Sequence, residues 1–179
     1  MKELSLNILD IAENSVKAGA SLTEILLTES DDVLTISIKD DGCGMTKDVL
    51  ERVTDPFCTS RTTRKVGLGI PLLKMASEQT GGRVDIESAP GVGTTVTATF
   101  NTGHIDFTPL GDMVSTVTIL IMGSPDIDFV YRHKTPAFEV NLDTKELRQV
   151  LGDVPLSSPE VITWIGDFLT EQYNLGGQK

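Results

Sequence analysis

The sequence predicts an α/β protein, on three observations. Apolar residues recur at helical spacing near the start of the chain, β-branched strand-like runs follow, and glycine- and proline-marked turns separate the segments. The 179 residues are 39% hydrophobic and 23% charged. That supplies a core for one generous domain, or one domain plus an appendage, and excludes a disordered tail. With 15 Lys and Arg against 26 Asp and Glu, the net charge is −11. A nucleic-acid-coating protein and a binder of anionic lipid are therefore not expected. The longest apolar run, Val117–Met122, is too short to span a bilayer, and Met1–Leu4 opens without an apolar signal segment. The expected location is the cytoplasm. Cys43 and Cys58 are too far apart for a CxxC pair, so reduced thiols are expected and a structural zinc site is not.

Taken in order, Leu4–Ala18 reads as a helix, with Ile8, Leu9, Ala12 and Val16 on one side and Gly19 placed to end it. Leu22–Thr28 and Val33–Lys39 read as strands joined by the polar turn Glu29–Asp32. A Gly-punctuated loop then leads to a short helix that Thr46 can cap. Asp55–Val66 has no clear period. Ile70–Gln79 reads as a helix closed by Gly81 and Gly82, and strands Val84–Ser88 and Thr94–Phe100 flank a Pro90-Gly91 turn. Past Thr102 the character changes, which divides the chain into 1–103 and an α+β extension, 104–179. The boundary is placed near 101–111, although the later strands could instead extend the first sheet. Met113–Met122, Ile127–His133 and Phe138–Leu142 are expected as a three-stranded meander. Asp143–Glu146 opens a helix with a capping-box pattern, and Ser158-Pro159 opens another. In the last helix Val161, Trp164, Ile165, Phe168 and Leu169 form an apolar stripe read as core.

Four segments carry candidate chemistry. On the first helix Asp10, Asn14 and Lys17 fall within one arc opposite the apolar stripe. A carboxylate, a neutral amide oxygen and an ammonium together suit a Mg-nucleotide, although any surface helix shows polar residues on that face. Asp41-Gly42-Cys43-Gly44-Met45 follows a strand directly. Its glycines let the backbone approach a ligand, and Asp41 suits an exocyclic amine such as that of adenine. Arg61, Arg64 and Lys65 cluster in an otherwise acidic chain, ahead of Gly67-Leu68-Gly69 at a helix start. Free N–H groups there favour a polyphosphate. Finally, Gly91–Thr94 joins two strands, either as a plain hairpin loop or with Thr94 reaching a base edge or its bound water.

The order and spacing of these segments, from about Leu4 to Phe100, resemble the GHKL superfamily of ATP-binding domains, which includes histidine kinases, MutL, Hsp90 and type II topoisomerases. Leu9–Ala20 looks like the N box, with a MutL-like flavour in Glu13-Asn14-Ser15, and Asp41–Gly44 is similar to the G1 box. Asp55-Pro56-Phe57-Cys58-Thr59-Ser60 followed by Gly67-Leu68-Gly69 resembles the F and G2 boxes. Gly81–Thr95 looks like the closing strands with the G3 box. The resemblance implies a two-layer α/β sandwich with a mixed sheet, the Bergerat ATP-binding fold. It also implies Mg²⁺ on Asn14, phosphate at Lys17, adenine read by Asp41, and a short lid formed by Arg61 and its neighbours, with Lys65 among the ATP-binding residues. Gly42, Gly44, Gly67 and Gly69 would approach the nucleotide closely, with Met45, Phe57, Leu68 and Thr94 around it. No Walker A sequence is present, so a P-loop NTPase is excluded.

Two departures shape the functional expectation. The family places Glu four residues before the Mg-binding Asn, and here that position is Asp10. Its carboxylate is withdrawn by about 1.5 Å, and a misplacement of roughly 1 Å can cost about 10²-fold in rate. The resemblance to histidine kinases also lacks their phosphoacceptor box. His133-Lys134-Thr135-Pro136 matches its ending only in part and lies in a strand-like run. The reading is thus a Mg-ATP-binding protein in signalling, a slow ATPase or a kinase for a separate protein partner. The alternatives are a non-catalytic ATP-dependent switch or an anti-sigma-type serine kinase.

Overall fold

The computed structural model describes residues 3–54 and 68–177. Helix α1, Leu4–Lys17, buries Leu4, Ile8, Ile11 and Ala12. Its N-cap residue, Glu3, makes no side-chain capping bond. Instead, the carbonyls of Pro109 and Leu110 accept the N–H groups of Leu4 and Ser5 at 2.9 and 2.7 Å. Strands β1, Leu22–Ser30, and β2, Val33–Asp40, form an antiparallel hairpin. Asp31 and Asp32 make its turn with φ of 49° and 61°, a left-handed pair that short polar side chains tolerate. Helix α2, Lys47–Arg52, is capped by the Thr46 hydroxyl as expected. Helix α3, Gly69–Gln79, is followed by β3, Val84–Ala89, and β4, Gly93–Asn101, again an antiparallel pair.

The extension departs from the expected meander in its first element. Met113–Gly123 is not a strand but helix α4. A short apolar run cannot separate strand from buried helix by periodicity, and local chemistry decides here. Asp112 accepts the Ser115 N–H at 2.9 Å as an N-cap. The hydroxyls of Thr116 and Thr118 donate back to the carbonyls of Asp112 and Val114, so two β-branched polar residues fit within a helix. The helix is apolar on most sides because it lies between α1 and α6, Pro159–Gly177.

Strands β5, Asp128–Lys134, and β6, Glu139–Asp143, form an antiparallel pair, but β5 runs parallel to β1. The result is one six-stranded mixed sheet in the order β3-β4-β2-β1-β5-β6. The extension's strands therefore continue the first sheet. Helix α5, Thr144–Leu151, starts at Asp143, whose side chain accepts the Lys145 N–H. Inward residues of both segments, among them Ile25, Ile36, Phe100, Ile121, Tyr131 and Ile165, share one hydrophobic core. The apolar stripe of α6 divides. Val161, Ile165 and Leu169 are buried, whereas Trp164 is about half exposed and Phe168 only partly covered. Among the described residues no helix is long and apolar enough to cross a membrane.

Candidate nucleotide site

Strand parity positions the site. Leu34, Ile36 and Ile38 on β2 point at the helix layer, and a strand's side chains alternate with period two. Asp40 continues that inward series, and Asp41 falls outside it. Asp40 accordingly lines a cavity of about 820 Å³ together with Asn14, Lys17 and Thr94. Apolar walls come from Ile11, Ile38, Met45, Ile70 and Val96. The Asp40 carboxylate accepts the Ser15 hydroxyl at 2.8 Å and the Gly42 N–H at 2.9 Å. Carboxylate oxygens have about four acceptor positions, so two such bonds leave capacity for a ligand donor.

Asp41, expected to read the base, does not line this cavity. Its Oδ1 accepts the N–H groups of Ser21 and Leu22 at 2.7 and 2.9 Å, and its Oδ2 accepts the Ser21 hydroxyl. The Ser21 hydroxyl and the Leu22 N–H hold the Asp41 carboxyl below the ordinary aspartate range. Asp41 ties the loop to the start of β1. An extended chain sends adjacent side chains to opposite faces, which separates Asp41 from the cavity that Asp40 lines.

The glycine loop is fixed from two sides. Cys43 N–H donates to the Ala18 carbonyl at 2.9 Å, and Gly91 N–H donates to the Cys43 carbonyl at 2.8 Å. Gly44 has φ of +70°, and a Cβ there would lie 2.0 Å from the Ala89 carbonyl oxygen. Only glycine fits that approach. Gly42 is buried against Ala18. Ser88, absent from the expected set, organises the far wall. Its hydroxyl accepts the Met45 N–H and bonds the Thr94 hydroxyl, both at 2.8 Å.

The expected trio on α1 divides. Asn14 and Lys17 line the cavity with Ser15, but Asp10 does not. Asp10 packs on the first residue of α3, its Oδ2 2.8 Å from where a Gly69 Cβ would stand. Gly69 is buried there, and Leu68 before it is exposed. Phe57, Arg61, Lys65 and Gly67 lie outside the described residues. Cys43 lines the cavity as a free thiol. Parity along β2 was the available signal for Asp40. Ser15 and Ser88 carried none, because small hydroxyl residues occur on any element.

His133, compared above with an acceptor box, is 4% exposed. Its Nε2 bonds Glu29 at 2.7 Å and its Nδ1 bonds the Tyr173 hydroxyl at 2.8 Å. Neither nitrogen is open to a phosphate.

Comparison with known proteins agrees with this architecture. The profile of histidine kinase-, DNA gyrase B-, and HSP90-like ATPases matches residues 2–104. Sporulation kinase E of Bacillus subtilis (strain 168) is 34% identical over 94 residues, which are 52% of this chain; the match spans only 13% of that kinase. Two solved structures share the fold. The N-terminal domain of a DNA repair protein aligns over 86% of this chain and 58% of its own, with a TM-score of 0.57 and 14% identity. The Aquifex aeolicus MutL ATPase domain complexed with ADP aligns over 84% of this chain and 69% of its own, with a TM-score of 0.52 and 15% identity. Both alignments cover more of the chain than residues 2–104 contain, so the shared fold takes in part of the extension. On the profile match, the chain belongs to the histidine kinase-, DNA gyrase B-, and HSP90-like ATPase family.

Proposed function

We propose that this chain binds Mg·ATP in the 820 Å³ cavity and turns it over slowly, to water or to a protein partner in signalling. The observation that carries the reading is that Asn14, Lys17, Asp40 and Thr94, from three different elements, line one apolar-walled space. Asp40, rather than Asp41, accepts the exocyclic amine of adenine, while Ser15 and Gly42 hold its carboxylate in place. Ile38, Met45 and Val96 cover the faces of the base, and Thr94, set by Ser88, meets its edge. Lys17 meets phosphate.

The donor set fits Mg²⁺. Among the described residues no group of three or more His, Cys, Asp or Glu gathers to hold a metal. Mg²⁺ in nucleotide sites needs only one or two protein oxygens beside phosphate and water, and the Asn14 amide oxygen supplies one without added charge. When bound, the ion polarises the phosphoryl oxygens. Arg61 and Lys65, with Phe57 and Gly67, are proposed to contact the nucleotide on the resemblance of their segment to the F and G2 boxes.

Asp10 is the proposed residue that orients the attacking group. Its position against Gly69 favours a second reading, in which the chain is an ATP-dependent switch without turnover. Single-turnover conversion of pre-bound Mg·ATP to ADP separates the two, with Asn14→Ala as background. ADP formed by the wild type and lost in Asp10→Asn supports turnover. Mg-dependent binding with no ADP, even in the presence of candidate partners, refutes turnover and leaves the switch. Turnover that appears only in Asp10→Glu supports the switch directly.

A further inference from the structure

Trp164 and Phe168 lie on the side of α6 that leaves the core, their rings stacked 4.8 Å apart at 10°. With Val130, Leu147 and Val150 they line a groove of about 560 Å³ between α5, α6 and the edge strand β6. It shares no residue with the nucleotide cavity. Trp164 is the chain's single tryptophan and is 48% exposed; Val150 is 86% exposed.

The groove's charge is unbalanced. Arg132 is engaged internally, by Glu139 at 3.3 Å and the Asn141 side chain at 2.9 Å. Asp143 caps α5, and Glu146 makes no ion pair among the described residues. The lining as a whole sets Glu139, Asp143 and Glu146 against Arg132, and in sequence residues 144–177 carry Glu146, Asp153, Glu160, Asp167 and Glu171 against Lys145 and Arg148. Arg148 is turned inward onto Asp128 and the carbonyls of Pro125 and Ile127. A half-exposed indole and a carboxylate without an ion pair, lining the same groove, suit a guanidinium, which stacks on a ring and forks to an acid.

The backbone of β6 defines the shape of the ligand. The Gln172 carboxamide accepts the Asn141 N–H at 2.9 Å and donates to the Asn141 carbonyl at 3.0 Å. It occupies the pair of groups that a neighbouring strand would bond, so a strand added at β6 would have to displace it. An extended chain offers the same pair of groups at every second residue.

We propose that this groove docks an extended, arginine-bearing segment of a protein partner, with guanidinium against Trp164 and Glu146 and alternate apolar side chains on Val130, Leu147 and Val150. Docking is independent of nucleotide, so the test omits it. The full chain is titrated with acetyl-Val-Arg-Val-Arg-Val-amide while Trp164 emission is followed. A saturable change that weakens with added salt is expected, with affinity lowered on the order of tenfold by Glu146→Lys. The fluorescein-labelled peptide, read by anisotropy, is expected to bind Trp164→Phe several-fold more weakly, a variant that keeps an aromatic side chain on α6. No emission change at millimolar peptide would overturn the proposal. So would equal affinity for acetyl-Val-Glu-Val-Glu-Val-amide, or an unchanged affinity in Glu146→Lys.

Discussion

Two polar clusters lie on the helix-facing side of the same sheet, near opposite ends of β1 and about 20 Å apart along it. Asp40, in register with Thr23, accepts two protein hydrogen bonds and faces a cavity. At the other end Glu29, His133, Tyr173 and Tyr131 bond one another in a chain. Phe138 packs edge-on against the His133 and Tyr173 rings. Burial pushes the Tyr173 hydroxyl up to about 12 and raises Tyr131 above the ordinary tyrosine value, so both stay protonated as donors. The two clusters contain equally reactive side-chain types. What distinguishes them is unused valence. Asp40 keeps acceptor capacity facing open space, whereas His133 has none left. The first pattern leaves room for a ligand, as proposed for Asp40, and the second is a clamp that holds α6 to the sheet.

Removing either cluster tests that distinction, because each loss should be felt in a different measurement. The largest effect on binding is expected for Asp40→Ala, which should weaken Mg·ATP binding by about a hundredfold in calorimetric titration, the worth of a charge-assisted hydrogen bond. Asp41→Ala should stay within about threefold of wild type. The opposite ranking would return base recognition to Asp41. Next, His133→Ala should cost about 3 kcal/mol in urea denaturation, through a cavity and stranded partners, while the ATP affinity of the folded variant is unchanged. A His133 variant that lost ATP affinity without losing stability would break the comparison.

A finer test of the clamp is Tyr173→Phe. It removes one hydroxyl that serves both His133 and Tyr131, and about 1–2 kcal/mol of stability should go with it. The smallest effect is expected for Asp41→Asn. Its carboxylate is exposed, so solvent screening limits the loss to roughly 1 kcal/mol or less. Because the Asp41 carboxyl is lowered on folding, its contribution is present above the unfolded carboxyl's range and lost as pH falls through the folded value. The variant should therefore match wild type in acid and fall short of it at neutral pH, measured as urea midpoint against pH.

Much of this molecule was legible before any contact was known. Hairpin β1–β2 and hairpin β3–β4 matched expectation within two residues at each end, because alternation and turn chemistry are properties of neighbouring residues. The Thr46 cap and the cap at Asp143 followed for the same reason. Asp40 was within reach too. Counting in steps of two from Leu34 leads to it, whereas the motif Asp41–Gly44, taken without its strand, leads to the neighbour.

Local chemistry was thus sufficient for the strands and caps of the family segment and, on α1, for Asn14 and Lys17 but not Asp10 as cavity residues. Three outcomes needed residues far apart in the chain. Helix α4 became a helix because an apolar run can be buried between α1 and α6. Strand β5 joined β1 in parallel, a pairing that leaves no mark on either strand's own pattern. The stripe on α6 divided because the sheet ends at β6, so Ile165 meets the core while Trp164 stands beyond its edge. A periodic sequence records which face of an element is apolar. Which part of that face finds a partner depends on where the neighbouring elements stop.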